Sequence, residues 1–277
     1  MKITSRIFLY LFCLALPLAN GYGSEGEAAA QANASEQERK AGERTVLKIN
    51  DVEYAFRWCP AGAFMMGSPQ DEANRNNNET QHQVKISHDF WMLETEVTQT
   101  MWASVMGNNP SHFKGAKLPV EQVTWNDCQE YVQKLNALGV APKGYRFSLP
   151  TEAQWEYACR AGTTTAFCFG DTLTDKQANF GGNIGKTSEV ASYPANAWGL
   201  HDMHGNVYEW CLDRYGDYPN GAVTDPMGAV EDSIRVLRGG FWLNYAGACQ
   251  SANRGHSDPS RGSSGIGLRV SLVSSDK

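Results

Sequence analysis

The stretch LPTEAQWEYACRAG (149–162) decides the reading of this chain. Thr151 stands at an N-cap position, Gln154 three residues on makes a capping box, and Pro150 precedes the cap. The same logic finds two more helices. In VTQTMWASVMG (97–107), Val97, Met101, Trp102 and Val105 share one face, and Gly107 stops the run. In DCQEYVQKLNAL (127–138), capped by Asn126, the shared face carries Cys128, Tyr131, Val132 and Leu135. Around the helices lie short runs of β-branched and aromatic residues: TVLKIN, VEYAFRW, QVKI, DFWML, and late in the chain IRVLRGG and IGLRVSLV. Residues 68–81 form a long polar loop, and from Gly162 to about Ile234 glycine and asparagine abound without helical period. The pattern predicts one α+β domain over 45–274.

The chain has 277 residues, 42% of them apolar and 11% aromatic, with eight tryptophans. That is ample for a packed core. Trp58, Trp91, Trp102, Trp125 and Trp155 are expected inside it. The net charge is −6. With no basic stripe, binding of nucleic acid through phosphate neutralisation is not expected.

The first 21 residues read as a signal peptide. Lys2 and Arg6 precede an apolar run, IFLYLFCLALPL, and small residues follow, placing cleavage near Gly21 or Gly23. Cys13 is a poor lipid-attachment site, because Phe12 before it is large and it lies inside the apolar run. Residues 22–44 read as a flexible polar spacer. No later segment is apolar enough for a membrane span. The expectation is an exported protein of the periplasm, cell surface or medium.

Six cysteines follow the signal: Cys59, Cys128, Cys159, Cys168, Cys211 and Cys249. An even number in an exported chain permits disulfides. None forms a C-x-x-C pair, so zinc is not expected. No Ser-His-Asp order and no phosphate loop is evident. His201 and His204 are three apart, but hydrogen-bonded histidines suit a loop better than a metal pair.

Seven stretches, in order, resemble one family: GAFMMGS, EVTQTMWASVMGNNPS, PVEQVTWNDC, LPTEAQWEYACRAG, NAWGLHDMHGNVYEW, RVLRGG and GLRV. The family is that of formylglycine-generating enzymes, or sulfatase-modifying factors. The resemblance implies an irregular, loop-rich variant of the C-type lectin fold. It also implies an activity, the oxidation of a sulfatase cysteine with oxygen and copper(I), held by two thiolates because soft sulfur selects that ion. In the enzymes a serine and a C-x4-C pair follow the glycines that match Gly239 and Gly240. Here Phe241 stands at the serine position, Asn244 at the first thiol, and Cys249 near the second. The copper pair is incomplete, so copper and a catalytic Cys249 belong only to an altered-oxidase reading. The resemblance further implies a Cys159–Cys249 disulfide. A buried thiol and a reactive one remain alternatives for Cys249.

Two more expectations concern binding. By the same resemblance, the turn in HDMHGNVYEW would hold a structural calcium through the Asp202 and Glu209 side chains and the Gly205 and Val207 carbonyls, hard oxygen donors on a bent backbone. The tail 241–264 mixes aromatic, polar and small residues, the composition of adaptable recognition surfaces. It resembles the variable region of proteins diversified by retroelements. A ligand-binding face is therefore expected from Phe241, Trp242, Asn244, Tyr245 and Arg254, with His256, Asp258 and Arg261 at its edge. Its partner would be a protein or small molecule at the cell envelope.

Overall fold

The computed structural model of the chain describes residues 39–231 and 233–275. The expected signal peptide, Cys13 and residues 22–38 of the expected spacer lie outside the described residues. The domain begins before the expected boundary at 44. Gly42 N–H donates to the Trp58 carbonyl at 2.8 Å, and the Arg39 guanidinium lies 4.7 Å from the Trp58 ring. Residues 39–44 are therefore built onto the domain.

Strands β1 (Arg44–Ile49) and β2 (Val52–Cys59) form a hairpin. Its tip is Asn50-Asp51, both at positive φ, which short polar side chains tolerate. β3 (Gly62–Met66), β4 (His82–Ile86) and β5 (Phe90–Leu93) follow, then helices α1 (Gln99–Met106) and α2 (Trp125–Ala137). β6 (Tyr145–Ser148) leads into α3 (Glu152–Arg160). After a long ordered loop come β7 (Tyr208–Arg214), β8 (Val223–Thr224), β9 (Arg235–Arg238), β10 (Gly255–Ser257), β11 (Ile266–Gly267) and β12 (Ser271–Ser274). They make three small sheets, in the orders β1-β2-β5-β12-β6, β10-β9-β7-β11 and β3-β4-β8. The last strand enters the middle of the first sheet, so the two ends of the domain are joined. Among the described residues no helix is long and apolar enough to cross a membrane.

All three expected helices form. Thr151 accepts from Gln154 N–H and Gln154 reaches back to the Thr151 N–H, completing the predicted box. α2 starts two residues earlier than expected. Its cap is Thr124 rather than Asn126, because Asp127 returns a bond to the Thr124 N–H. The faces of α1 and α2 meet where Trp102 stacks on Tyr131, with ring centres 5.0 Å apart. The Tyr131 hydroxyl lies 2.9 Å from that of Tyr54 on β2, which satisfies both buried polar atoms. α3 buries Trp155, Ala158 and Cys159 in a second cluster with Val236, Met203 and Cys211. Four of the five expected core tryptophans are buried; Trp125 is half-buried, under the Arg235 guanidinium at 3.9 Å.

Candidate functional site

Helix α3 carries Glu152 and Glu156, one turn apart, and each holds an arginine at one end of the segment 239–253. Arg254 donates from Nε and Nη2 to Glu152 at 2.7 and 2.9 Å. Arg238 pairs with Glu156 and also donates to the carbonyls of Ser251, Ala252 and Asn253. Glu156 further binds Arg160 at 2.9 Å and the Gly67 N–H at 2.9 Å. These charges are buried, and such groups persist only when paired and hydrogen-bonded. Residues 239–253 are thus hung between two anchored arginines.

Between the anchors the chain leaves β9 through Gly239 and Gly240, both at positive φ. A Cβ on Gly240 would lie 2.5 Å from Cys249 Sγ, so glycine is required there for closeness as well as for conformation. Residues 241–245 form a stapled loop. Trp242 N–H donates to the Asn206 carbonyl, while the Trp242 and Asn244 carbonyls accept from Gly182 and Gly181. The Asn244 side chain accepts from Phe241 N–H, so it shapes the turn. Phe241 packs against Tyr208, and Trp242 edges onto Phe113 while its indole N–H donates to the Ser264 carbonyl. Outward stand Leu243, 56% exposed, and Tyr245, 63% exposed. Leu243 was not anticipated from sequence, since a single leucine carries no periodic signal there.

His256, Asp258 and Arg261 are exposed. The His256 ring rests on Tyr215, and Asp258 is tied to Ser260. Arg254 is not a contact residue. Burial against Glu152 and the Tyr218 ring, 3.8 Å away, removes it from the face. Beside the loop, a groove of about 620 Å³ is lined from three segments, by Asp71 to Asn74, by Thr164 to Phe167 with Asp171 to Leu173, and by Ala246, Gly247 and Gln250. It carries Asp71, Glu72 and Asp171, and its floor includes the buried Gln250.

Neither thiol suits redox chemistry, and the expected disulfide is absent. Cys159 and Cys249 are both free. The sulfur of Cys159 faces Ser251 Oγ at 3.6 Å and His204 Nε2 at 3.8 Å, while that of Cys249 faces the Tyr245 carbonyl at 3.8 Å. Ser251, not Cys249, therefore sits opposite Cys159. Burial pushes both thiols up to about 12, which keeps them protonated and poorly reactive.

The donors expected for calcium do not offer free oxygens at one point. Glu209 accepts from Arg269 at 2.8, 3.0 and 3.1 Å and from the Trp155 indole N–H at 2.7 Å. The positive charge beside it is the fully buried Arg269 guanidinium, so these residues do not fit a cation held through Glu209. Asp202 accepts from Ala191 N–H at 2.7 Å. Glu96 completes the cluster, accepting from Asn206 Nδ2 and Val207 N–H. Burial, with Asp202 and Glu209 nearby, pushes the Glu96 carboxyl well above its usual range, and burial lifts Asp202 to about 6. His201 and His204 bond to the carbonyls of Tyr193 and Cys249.

Three helices set among three small sheets, with long ordered loops, define an α+β protein of the C-type lectin-like fold in its formylglycine-generating variant. The chain belongs to the sulfatase-modifying factor enzyme 1-like domain family, which it matches over residues 50–272. It is 31% identical to the formylglycine-generating enzyme of Streptomyces coelicolor over 217 residues, covering 68% of this chain and 66% of that one. It is 39% identical to the serine/threonine-protein kinase pkn1 of Chlamydia caviae over 159 residues, covering 56% of this chain and 24% of the kinase. The chain thus spans about a quarter of that relative's length. Among solved structures it is similar to Treponema denticola variable protein 1, with a TM-score of 0.74 and 30% identity over 82% of this chain and 98% of that one. It is also similar to PvdO from Pseudomonas aeruginosa, with a TM-score of 0.73 and 28% identity over 84% and 99% of the two chains.

Proposed function

We propose that the protein is an exported, non-catalytic member of this family that binds a protein or small-molecule ligand through the 241–264 segment. The observation that carries this reading is at the thiol positions. Phe241 and Asn244 stand where a serine and a first thiol would be needed, and Cys249 is buried and protonated. An amide cannot replace a thiolate for copper(I), and one sulfur cannot hold that ion linearly.

The exposed side chains support contact chemistry instead. Leu243 and Tyr245 project from a loop that is rigidly stapled at both ends, with Trp242 beside them and His256, Asp258 and Arg261 as a polar edge. A large amphipathic ring held by a stiff backbone gives contact area at low entropic cost. The likeness to a variable protein of Treponema supports the same reading. Asn244, Cys249 and Arg254 act as its supports.

A copper(I) titration with thiol counting, and oxygen uptake with a cysteine peptide, tests the reading. The expected result is no copper stoichiometry and no uptake. One bound copper with oxygen consumption, both lost in Cys249→Ser, would establish an altered sulfatase-modifying oxidase instead. The diversification reading has a genomic test. A nearby reverse transcriptase and a second copy of the 238–270 coding region differing at adenines would support it, and their absence would sink it. Export is tested by the N-terminal sequence of the mature protein, expected near residue 22 or 24.

A further inference from the structure

A second cavity, of about 390 Å³, opens between the start of β4, the N-terminus of α3 and residues 213–228. Its wall includes His82, which is only 5% exposed and packs against the Tyr218 ring at 4.6 Å between centres. His82 Nδ1 lies 2.9 Å from the Thr80 carbonyl. A carbonyl can only accept, so Nδ1 carries the proton. In the neutral ring Nε2 is then a bare acceptor. That atom is buried and has no hydrogen-bond partner among the described residues, an arrangement that disfavours the empty site.

The other polar groups of the wall are already engaged. Glu152 and Arg254 hold one another, the Tyr218 hydroxyl donates to Glu152 at 3.1 Å, and Asp213 accepts from the Glu152 N–H at 2.8 Å. Burial pushes the Asp213 carboxyl up to about 8. The remaining side chains are the apolar Met66, Ala153, Pro219, Val223, Pro226 and Met227, with the exposed Asp217 and Thr224 as the other polar members.

We propose that this cavity binds a small neutral molecule with one hydroxyl on an apolar body, of phenol size, whose hydroxyl donates a hydrogen bond to His82 Nε2. The matching of groups selects the class. An anion finds Arg254 already committed to Glu152 and to the Asn78 carbonyl, and meets Asp217 at the exposed edge. An ammonium or guanidinium can meet Asp217 only at the exposed edge, and its further N–H donors find a single buried acceptor, His82 Nε2, beside apolar side chains, which leaves donors desolvated and unpaired. One hydroxyl satisfies one imidazole nitrogen, and a ring fills the apolar volume. This inference goes beyond the reading of the 241–264 face and does not rest on it.

The test titrates 4-methylphenol and 4-methylanisole, which lacks the donor, into the full chain, with the ring nitrogens of His82 followed by NMR. Saturable binding of the phenol that moves Nε2 is expected, with the anisole weaker by about 10-fold or more. His82→Phe keeps a ring against Tyr218 but lacks the acceptor, and should weaken phenol binding by a similar factor. Absence of a saturable shift, equal binding of the two probes, or full binding by a folded His82→Phe protein overturns the proposal. If His82→Phe does not fold, the comparison of the two probes on the unaltered chain decides alone.

Discussion

Arg254 grips Glu152 through two bonds of 2.7 and 2.9 Å while the Tyr218 ring lies 3.8 Å beneath its guanidinium. A residue that looked from sequence like a contact is thereby the tail's distal anchor. Burial alone would raise the Glu152 carboxyl, but Arg254 and Arg238 hold it below its usual range. Glu152→Ala leaves a buried guanidinium unpaired, and should cost about 3–5 kcal/mol in denaturant unfolding. A loss under about 1 kcal/mol would show that the pair is not an anchor.

Gly240→Ala tests the closeness of the turn to Cys249. Alanine would adopt a positive φ of 73° and place its Cβ 2.5 Å from the sulfur. The conformation alone costs about 1–2 kcal/mol, and the contact adds to it. Cys249→Ala in the same chain should restore part of the stability. Additivity of the two changes would mean that the sulfur is not what limits the site.

Thiol labelling tests the free cysteines. Of the six, Cys168 is partly exposed and the other five are buried. A thiol reagent should label Cys168 first in the native protein and all six after unfolding without reductant. Two thiols fewer after unfolding would restore the Cys159–Cys249 bridge.

Asp213 predicts a pH dependence. Its folded carboxyl stands at about 8, through burial first and then the Glu152 charge, against 3.8 for the ordinary group. Between these values the folded state holds a proton that the unfolded state lacks. Its contribution is therefore fully present below about pH 4 and is lost as pH rises toward 8, at up to about 1.4 kcal/mol per pH unit. Asp213→Asn mimics the protonated form and still accepts the Glu152 N–H. It should flatten that slope and be more stable than the parent chain at pH 8. An unchanged slope would assign the dependence elsewhere.

The helices were legible because each carries a local sign, a cap or a shared apolar face. Even the error at α2 was local: Thr124 and Asp127 have capping-box spacing, and Asn126 merely lies between them. β3, β6 and β7 went unseen. Their pairing is set by distant partners, as where Glu209 stands opposite Arg238. The same limit governed the site. Of the expected aromatic contacts Tyr245 is exposed while Phe241 and Trp242 are half-buried, and nothing local says that Arg254 turns inward to a glutamate 102 positions earlier. Nor does spacing reveal that Ser251 rather than Cys249 meets Cys159, or that Arg269 stands where a cation was expected beside Glu209.

Glu152 and Glu156 sit on one face of one helix and grip arginines at both borders of the rim. Closure of the rim is therefore written in four side chains that lie outside its exposed surface. The outward positions, Leu243 and Tyr245 among them, can be exchanged without touching those four. The architecture separates what may vary from what must not. The folding information stays in the helix and the two strand-end arginines, apart from the exposed positions of the rim.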